Sequence, residues 1–395
     1  MRSSLSPQFR RGIVTLTASA VAALAVATPA VAKDDKPKTP PAQMSAVGGA
    51  ALAQPGPQAG AGAPALPKDL SSLSWIVSDA DSGDVLGASN AHWPLPPAST
   101  LKMLFADTVL PTVPHGLSHK VTDAELRGMG AGSSAVGIVP GRQYQTDDLW
   151  RGVFLRSGND AVHVLAAMNG GVDKTVADMQ KRAIALGAKD THVRSPDGYD
   201  APGQVSSAYD LTLFLREGLK NADFKEYCST AEAKFPGGPS TKGKPFAISN
   251  TNRMLSGIGG VDKYPGLIGG KNGYTSHAGN TLAEAATRDG RTLLVTVMNP
   301  QTKKHDEVYV EMRKLLDWGF QAAGRTQPLG SLDQKSPLAS PSAKGAAGAR
   351  ATGAMTEDGS MGALGWTGIG AVVVVAGGAI AFALKRRRAG ESAAE

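Results

Sequence analysis

The chain has 395 residues, a formal net charge of +7 and a single cysteine, Cys228. That length is ample for a large hydrophobic core, and the lone cysteine excludes an intrachain disulfide framework. Lys385, Arg386, Arg387 and Arg388 concentrate much of the positive charge at one end, and no basic stripe interleaved with aromatics or Gly-x-x-x-x-Gly-Lys phosphate loop occurs, so no nucleic-acid partner is expected.

In chain order, Arg2, Arg10 and Arg11 precede an apolar run over 13–26, and Ala30-Val31-Ala32 is a small-x-small cleavage site. Residues 1–32 therefore read as a secretory signal peptide, with general secretion fitting better than twin-arginine export. Residues 33–68 are rich in Pro, Ala, Gly and Gln and predict a disordered linker. Patterned sequence follows over 69–324. Two strands over 74–78 and 85–88 flank the turn Asp81-Ser82-Gly83-Asp84. A helix begins near Ser99, after Pro94, Pro96 and Pro97. Helical spacing over 146–167 is interrupted at Ser157-Gly158-Asn159; further helices fit 172–186 and 207–219, the latter capped by Ser206 or Ser207.

Three strands then fit 267–275, 280–286 and 292–298, and a closing helix fits 306–318. Strands, helices and strands in that order describe a mixed α/β unit, an antiparallel sheet flanked by helices with an inserted helical region. A second flexible linker covers 325–362. The apolar run of 363–384 is long enough for a transmembrane helix, which needs about 20 residues, and 385–395 is a basic cytoplasmic tail. With a cleaved signal, the positive-inside rule places the patterned unit outside the membrane. Leu364-Gly365-Trp366-Thr367-Gly368 with its basic tail also resembles a sortase sorting signal, with Gly365 where proline or alanine is usual.

Three short segments carry chemistry. Ser99-Thr100-Leu101-Lys102 places a hydroxyl and an amine one helical turn apart, so a buried Lys102 can lose its proton and activate Ser99. Read alone, it is an N-cap serine followed by an ordinary lysine. Ser157-Gly158-Asn159 offers a hydroxyl and an amide at a helix junction. Gly269-Gly270-Lys271-Asn272-Gly273-Tyr274-Thr275 sets a lysine among glycines on a strand whose edge can pair with an extended peptide.

Together, in this order, these segments resemble the Ser-x-x-Lys, Ser-x-Asn and Lys-Thr-Gly set of the penicillin-recognising serine enzymes. From about Ser74 to Phe320 the chain is similar to the D-alanyl-D-alanine carboxypeptidases, the low-molecular-mass penicillin-binding proteins, and shares Ser207-Ala208-Tyr209-Asp210-Leu211 and Asn250-Thr251-Asn252 with them. The resemblance implies a β-lactamase/transpeptidase-like fold and no cofactor or metal. It makes Ser99 the acylated nucleophile, Lys102 its base, Ser157 a proton shuttle and Asn159 its orienter. Lys271, Asn272, Gly273, Tyr274 and Thr275 would bind substrate, with the N–H groups of Ser99 and Tyr274 as oxyanion hole. The implied substrate is the peptidoglycan stem peptide, trimmed of its terminal D-alanine, and β-lactams would be inhibitors.

One departure is Asn272, where the family has Thr or Ser. It leaves a catalytically impaired, wall-peptide-binding envelope protein as an alternative. A β-lactamase-like hydrolase is the other alternative, although no Glu-x-x-Leu-Asn loop occurs over 191–208. His277 behind the third motif reads as a bystander to a base already supplied by Lys102. His115 and His119 are spaced for a helical metal pair, yet Pro114 and Gly116 argue for a surface loop. Asp197-Gly198-Tyr199-Asp200 carries paired carboxylates but is expected to be a solvated turn.

Overall fold

The computed structural model describes residues 39–302, 304 and 306–333. The expected signal, most of the second linker, the apolar run of 363–384 and the basic tail lie outside the described residues. Among those described, no helix is long and apolar enough to cross a membrane.

Strands β1 (Pro57–Ala59), β2 (Ser72–Asp79) and β3 (Asp84–Ser89) come first, β2 and β3 joined by the expected turn. Asp79 closes that turn by accepting the N–H groups of Asp81 and Ser82 at 3.0 and 3.1 Å. The helical region follows: α1 (Lys102–Val109), the short pair β4 (Ser118–Lys120) and β5 (Gln143–Gln145), then α2 (Thr146–Leu155), α3 (Asn159–Met168), α4 (Val172–Ala185), α5 (Ala208–Gly218) and α6 (Ala222–Ser229). A second short pair, β6 (Glu232–Phe235) with β7 (Phe246–Ser249), and α7 (Arg253–Ser256) lead into β8 (Leu267–Thr275), β9 (Gly279–Arg288), β10 (Arg291–Pro300), α8 (Glu307–Ala322) and β11 (Gly330–Ser331).

The late strands rejoin the early ones in one seven-stranded antiparallel sheet, ordered β1-β3-β2-β10-β9-β8, with β11 also on β3. Val77 faces Val295, and Val295 faces Glu284. The central strands are buried on both sides because α5 packs against β10, β9 and β2 while α8 packs against the same three. Val308, Met312, Leu315 and Leu316 of α8 give its apolar stripe a place against Leu282, Val295 and Val297. Ser207 caps α5 as expected, its side chain accepting Asp210 N–H. At one edge, β8 pairs only with β9 among the described strands.

Both linker boundaries differ from the sequence expectation. Residues 39–68 are strapped along β3: Gly56 N–H donates to Asn90 Oδ1 at 2.8 Å, Gly60 N–H to Leu86 O, and Trp318 Nε1 to Pro64 O. Leu52 is buried in the main core. At the other end, β11 and the buried Leu332 belong to the fold rather than to a linker starting at 325. Few apolar side chains anchor either segment, so composition reads as disorder. Their backbone groups are instead satisfied by the edge of β3, a partner distant in sequence.

Candidate active site

The Ser99 turn is built where sheet and helices meet. Prolines end the extended approach, Ala98–Leu101 forms one 3-10 turn, and α1 starts at Lys102. Pro97 O accepts Thr100 Oγ1 at 2.6 Å and, from β9, Thr281 Oγ1 at 3.0 Å, which ties the Ser99 turn to the sheet. Lys102 is fully buried. Its Nζ donates to Ser99 Oγ and to Asn159 Oδ1, each at 2.8 Å, and to Asp197 O at 2.5 Å.

The break between α2 and α3 places Asn159 at the first position of α3. Asp160 beside it accepts the N–H groups of Val136, Gly137 and Ile138, bringing the 131–138 loop over the site. Asn159 Nδ2 donates to Ser133 Oγ at 3.0 Å, so its amide spans from that loop to Lys102. Ser157 Oγ is buried and has no hydrogen-bond partner among the described residues, leaving its hydroxyl unengaged.

Edge strand β8 closes the other side. A Cβ at Gly273 would come within 2.7 Å of Ser99 N and 2.6 Å of Thr281 Oγ1, so glycine lets strand and Ser99 turn touch. Lys271 is buried and its Nζ donates to Asn272 O at 2.8 Å. Asn272 Oδ1 accepts Thr251 Oγ1 at 3.0 Å, which turns the amide NH2 away from Thr251. Thr275 Oγ1 donates to Asp200 Oδ1 at 2.7 Å, while the Tyr274 side chain is exposed. A cavity of about 300 Å³ opens between the three segments, lined by Ser99, Ser133, Asn159, Tyr199, Tyr274 and Thr275 among others.

Charge follows burial. Desolvation lowers Lys102 from 10.5 to about 8, against the opposing pull of Asp197 and then Asp160. Desolvation, followed by the charge of Lys102, pushes Lys271 well below an ordinary lysine, and Glu284 opposes this. Two buried lysine amines whose proton affinities are both lowered in one cleft are the kind of perturbed groups that gather at functional sites.

The Asp197–Asp200 segment is not the solvated turn expected. Asp197 is 2% exposed, and Gly198 adopts φ +79° with its Cα so close to the Ser99 turn that a Cβ would lie 2.0 Å from Ala98 O. Pro196 and Gly198 do mark a turn, as the sequence suggested. The turn is folded inward because Lys102 requires a third polar partner. His277 N–H donates to Asp200 Oδ2, latching β8's end to that loop. His92, Asp190 and Asp210 have the composition of a metal site; His92 bonds Asp190 and Val47 O, Asp190 accepts Ser207 Oγ and Asp210 Oδ2 accepts Thr191 Oγ1, while Asp210 Oδ1 is buried without a hydrogen-bond partner among the described residues.

The profile of the D-alanyl-D-alanine carboxypeptidase family matches residues 60–302. The chain belongs to that family. A D-alanyl-D-alanine carboxypeptidase of Mycobacterium tuberculosis, DacB2, is 39% identical over 62% of this chain and 81% of its own length. DacF of Bacillus subtilis, with the same enzyme name, is 30% identical over 65% of this chain and 64% of its own. Among solved structures, a D-alanyl-D-alanine carboxypeptidase from Mycobacterium tuberculosis superposes with TM-score 0.62 at 36% identity, covering 69% of this chain and 99% of that one. A Streptomyces DD-transpeptidase does so with TM-score 0.58 at 25% identity, over 65% of this chain and 99% of that one. The expected mixed α/β architecture is thus the carboxypeptidase and transpeptidase fold, and the family is one of serine-type enzymes of cell-wall peptidoglycan metabolism.

Proposed function

We propose that this carboxypeptidase removes the terminal D-alanine of stem peptides through an acyl-enzyme on Ser99, with Lys102 as base. The observation that carries this reading is the triple contact of Lys102 Nζ. A lysine amine that has lost one proton keeps two N–H groups, which the carbonyls of Asn159 and Asp197 accept. Its lone pair then points at the Ser99 hydroxyl, the arrangement general base catalysis needs. Burial supplies the lowered proton affinity.

Ser99 Oγ attacks the carbonyl carbon of the D-Ala-D-Ala peptide bond as its proton passes to Lys102. The N–H groups of Ser99 and Tyr274 face the developing oxyanion. As the C–N bond breaks, the proton returns to the leaving D-alanine amine through Ser157 Oγ, with Asn159 holding Lys102 in place. Water then hydrolyses the ester. Lys271 provides positive charge for the terminal carboxylate, and the Asn272 NH2, freed by Thr251, donates to the same group in place of a hydroxyl. Gly273 and Thr275 shape the strand edge on which the peptide lies. A β-lactam acylates the same serine.

The amino-terminal signal pattern and the apolar 363–384 run with its basic tail support export and retention at the outer face of the membrane. Transmembrane anchoring is favoured by length and sortase attachment is the second route. D-alanine release from a D-Ala-D-Ala-terminated peptide by the parent, Ser99→Ala and Asn272→Thr tests the reading. The parent and Asn272→Thr should release D-alanine within about ten-fold of each other, a difference of about 1.4 kcal/mol, and Ser99→Ala none. Release confined to Asn272→Thr would overturn it in favour of a wall-peptide-binding protein.

A further inference from the structure

The three partners of Lys102 are unequal. Ser99 and Asn159 come from its own turn and from the adjoining helix α3, whereas Asp197 reaches it from a loop 95 residues away, and does so with a main-chain carbonyl. Its carboxylate is also buried at the site yet turned away from the cavity: Oδ1 accepts Ser195 Oγ at 2.7 Å and Tyr199 N–H at 2.9 Å, and Oδ2 lies 3.6 Å from His163 Nε2 on α3. It lines no part of the cavity surface, so it neither touches substrate nor delivers water. His163 Nδ1 is itself buried without a partner among the described residues, which leaves the Asp197 carboxylate as the polar group that ring faces.

We propose that Asp197 is a positioning residue for Lys102, its carbonyl fixing where the amine sits and its buried carboxylate supplying the negative charge against which that amine loses and regains its proton. This rests on the reading of Ser99 and Lys102 as nucleophile and base.

The groups around the amine are few. Asp160 on α3 is a second negative charge, but its oxygens are engaged by four backbone N–H groups. Lys271 on β8 is the other buried amine of the cleft, and burial followed by the charge of Lys102 lowers it. Burial alone would lower the proton affinity of the Lys102 amine further, leaving it neutral but a weak acceptor of the Ser99 proton. Asp197, the larger of the two opposing charges, pulls its proton affinity back towards the working range. Asp197 in turn is ionised across that range, because the nearby His163 ring, the charge of Lys102 and hydrogen bonds from Tyr199 N–H and Ser195 together outweigh its own burial.

Asp197→Asn removes the charge and keeps the carbonyl, the Oδ1 acceptor and the side-chain volume. The rate of acylation by a fluorescent penicillin, followed from pH 5 to pH 10 on the full chain, reads the protonation of the base. In Asp197→Asn the acid limb should move down by about one pH unit, the size expected for losing one opposite charge at short range. Ser195→Ala loosens the same loop while leaving the charge, and should lower the plateau without moving the limb. A limb that stays put in Asp197→Asn, or moves as far in Ser195→Ala, overturns the inference alone. A parent that is not acylated at Ser99 overturns the functional reading and the inference with it.

Discussion

A single methyl group placed at Gly273 tests how closely the third motif must approach the nucleophile. In Gly273→Ala the new Cβ would sit 2.7 Å from Ser99 N, 2.6 Å from Thr281 Oγ1 and 2.9 Å from the Ala98 Cβ. Against a tolerable contact of 3.4 Å, the shortfall at the Ser99 amide is about 0.7 Å. None of the three neighbours is the free end of a flexible chain, and Thr281 is held by Pro97 O, so β8 and the nucleophile turn must separate. Oxyanion donors work at about 2.7–3.1 Å, and a shift of this size takes one of the two out of range. The expected loss is about 10²–10³-fold in acylation by a penicillin and in D-alanine release, close to the loss of one donor. The cost in stability should be smaller, about 1–3 kcal/mol as for an overpacked contact, so the variant folds and can be assayed. Parallel thermal melts and rate measurements separate the two. A folded variant with acylation within about three-fold of the parent, under 1 kcal/mol, would refute the reasoning that strand contact builds the oxyanion hole.

Two stability predictions accompany it. Leu52, buried within a segment of low apolar content, should cost about 2–4 kcal/mol when replaced by alanine; denaturant unfolding that shows no change would mean the 39–68 strap is not part of the cooperative fold. Burial raises Glu284 to about 8 from 4.5, so the folded chain binds that proton more tightly than the unfolded one, and its contribution is present below 4.5 and lost as pH rises through 8. Glu284→Gln keeps the acceptor for Asn252 Nδ2 and should match the parent's stability at pH 5 but exceed it at pH 9, by about 4 kcal/mol at about 1.4 kcal/mol per pKa unit. Equal melting temperatures at both pH values would show that Glu284 titrates normally.

What the sequence determined by itself is what short-range chemistry encodes. The period of apolar residues, the Asp81-Gly83 turn and the Ser207 cap are all local, and they set β2, β3, α2 to α5 and β8 to β10 close to their observed bounds. Ser99 and Lys102 were legible as a pair because one helical turn brings them together wherever the helix lies. The resemblance of the three motifs supplied their meeting before any contact was visible. Tertiary structure decided the rest. Nothing near Asp197 in the chain announces that its carbonyl will reach Lys102, and nothing near Thr281 announces Pro97; those contacts span 95 and 184 residues. Asn250-Thr251-Asn252 was recognisable by resemblance, but the hold of Thr251 on Asn272 and the 131–138 loop over Asn159 were not, for the same reason. Composition assigned residues 39–68 to disorder because it counts apolar side chains, whereas the strap is held by backbone hydrogen bonds to an edge strand that exists only once the sheet has formed. The proton affinity of Lys102 was likewise open in the sequence, since it depends on how completely distant elements exclude water from one amine and on which carboxylates they leave beside it.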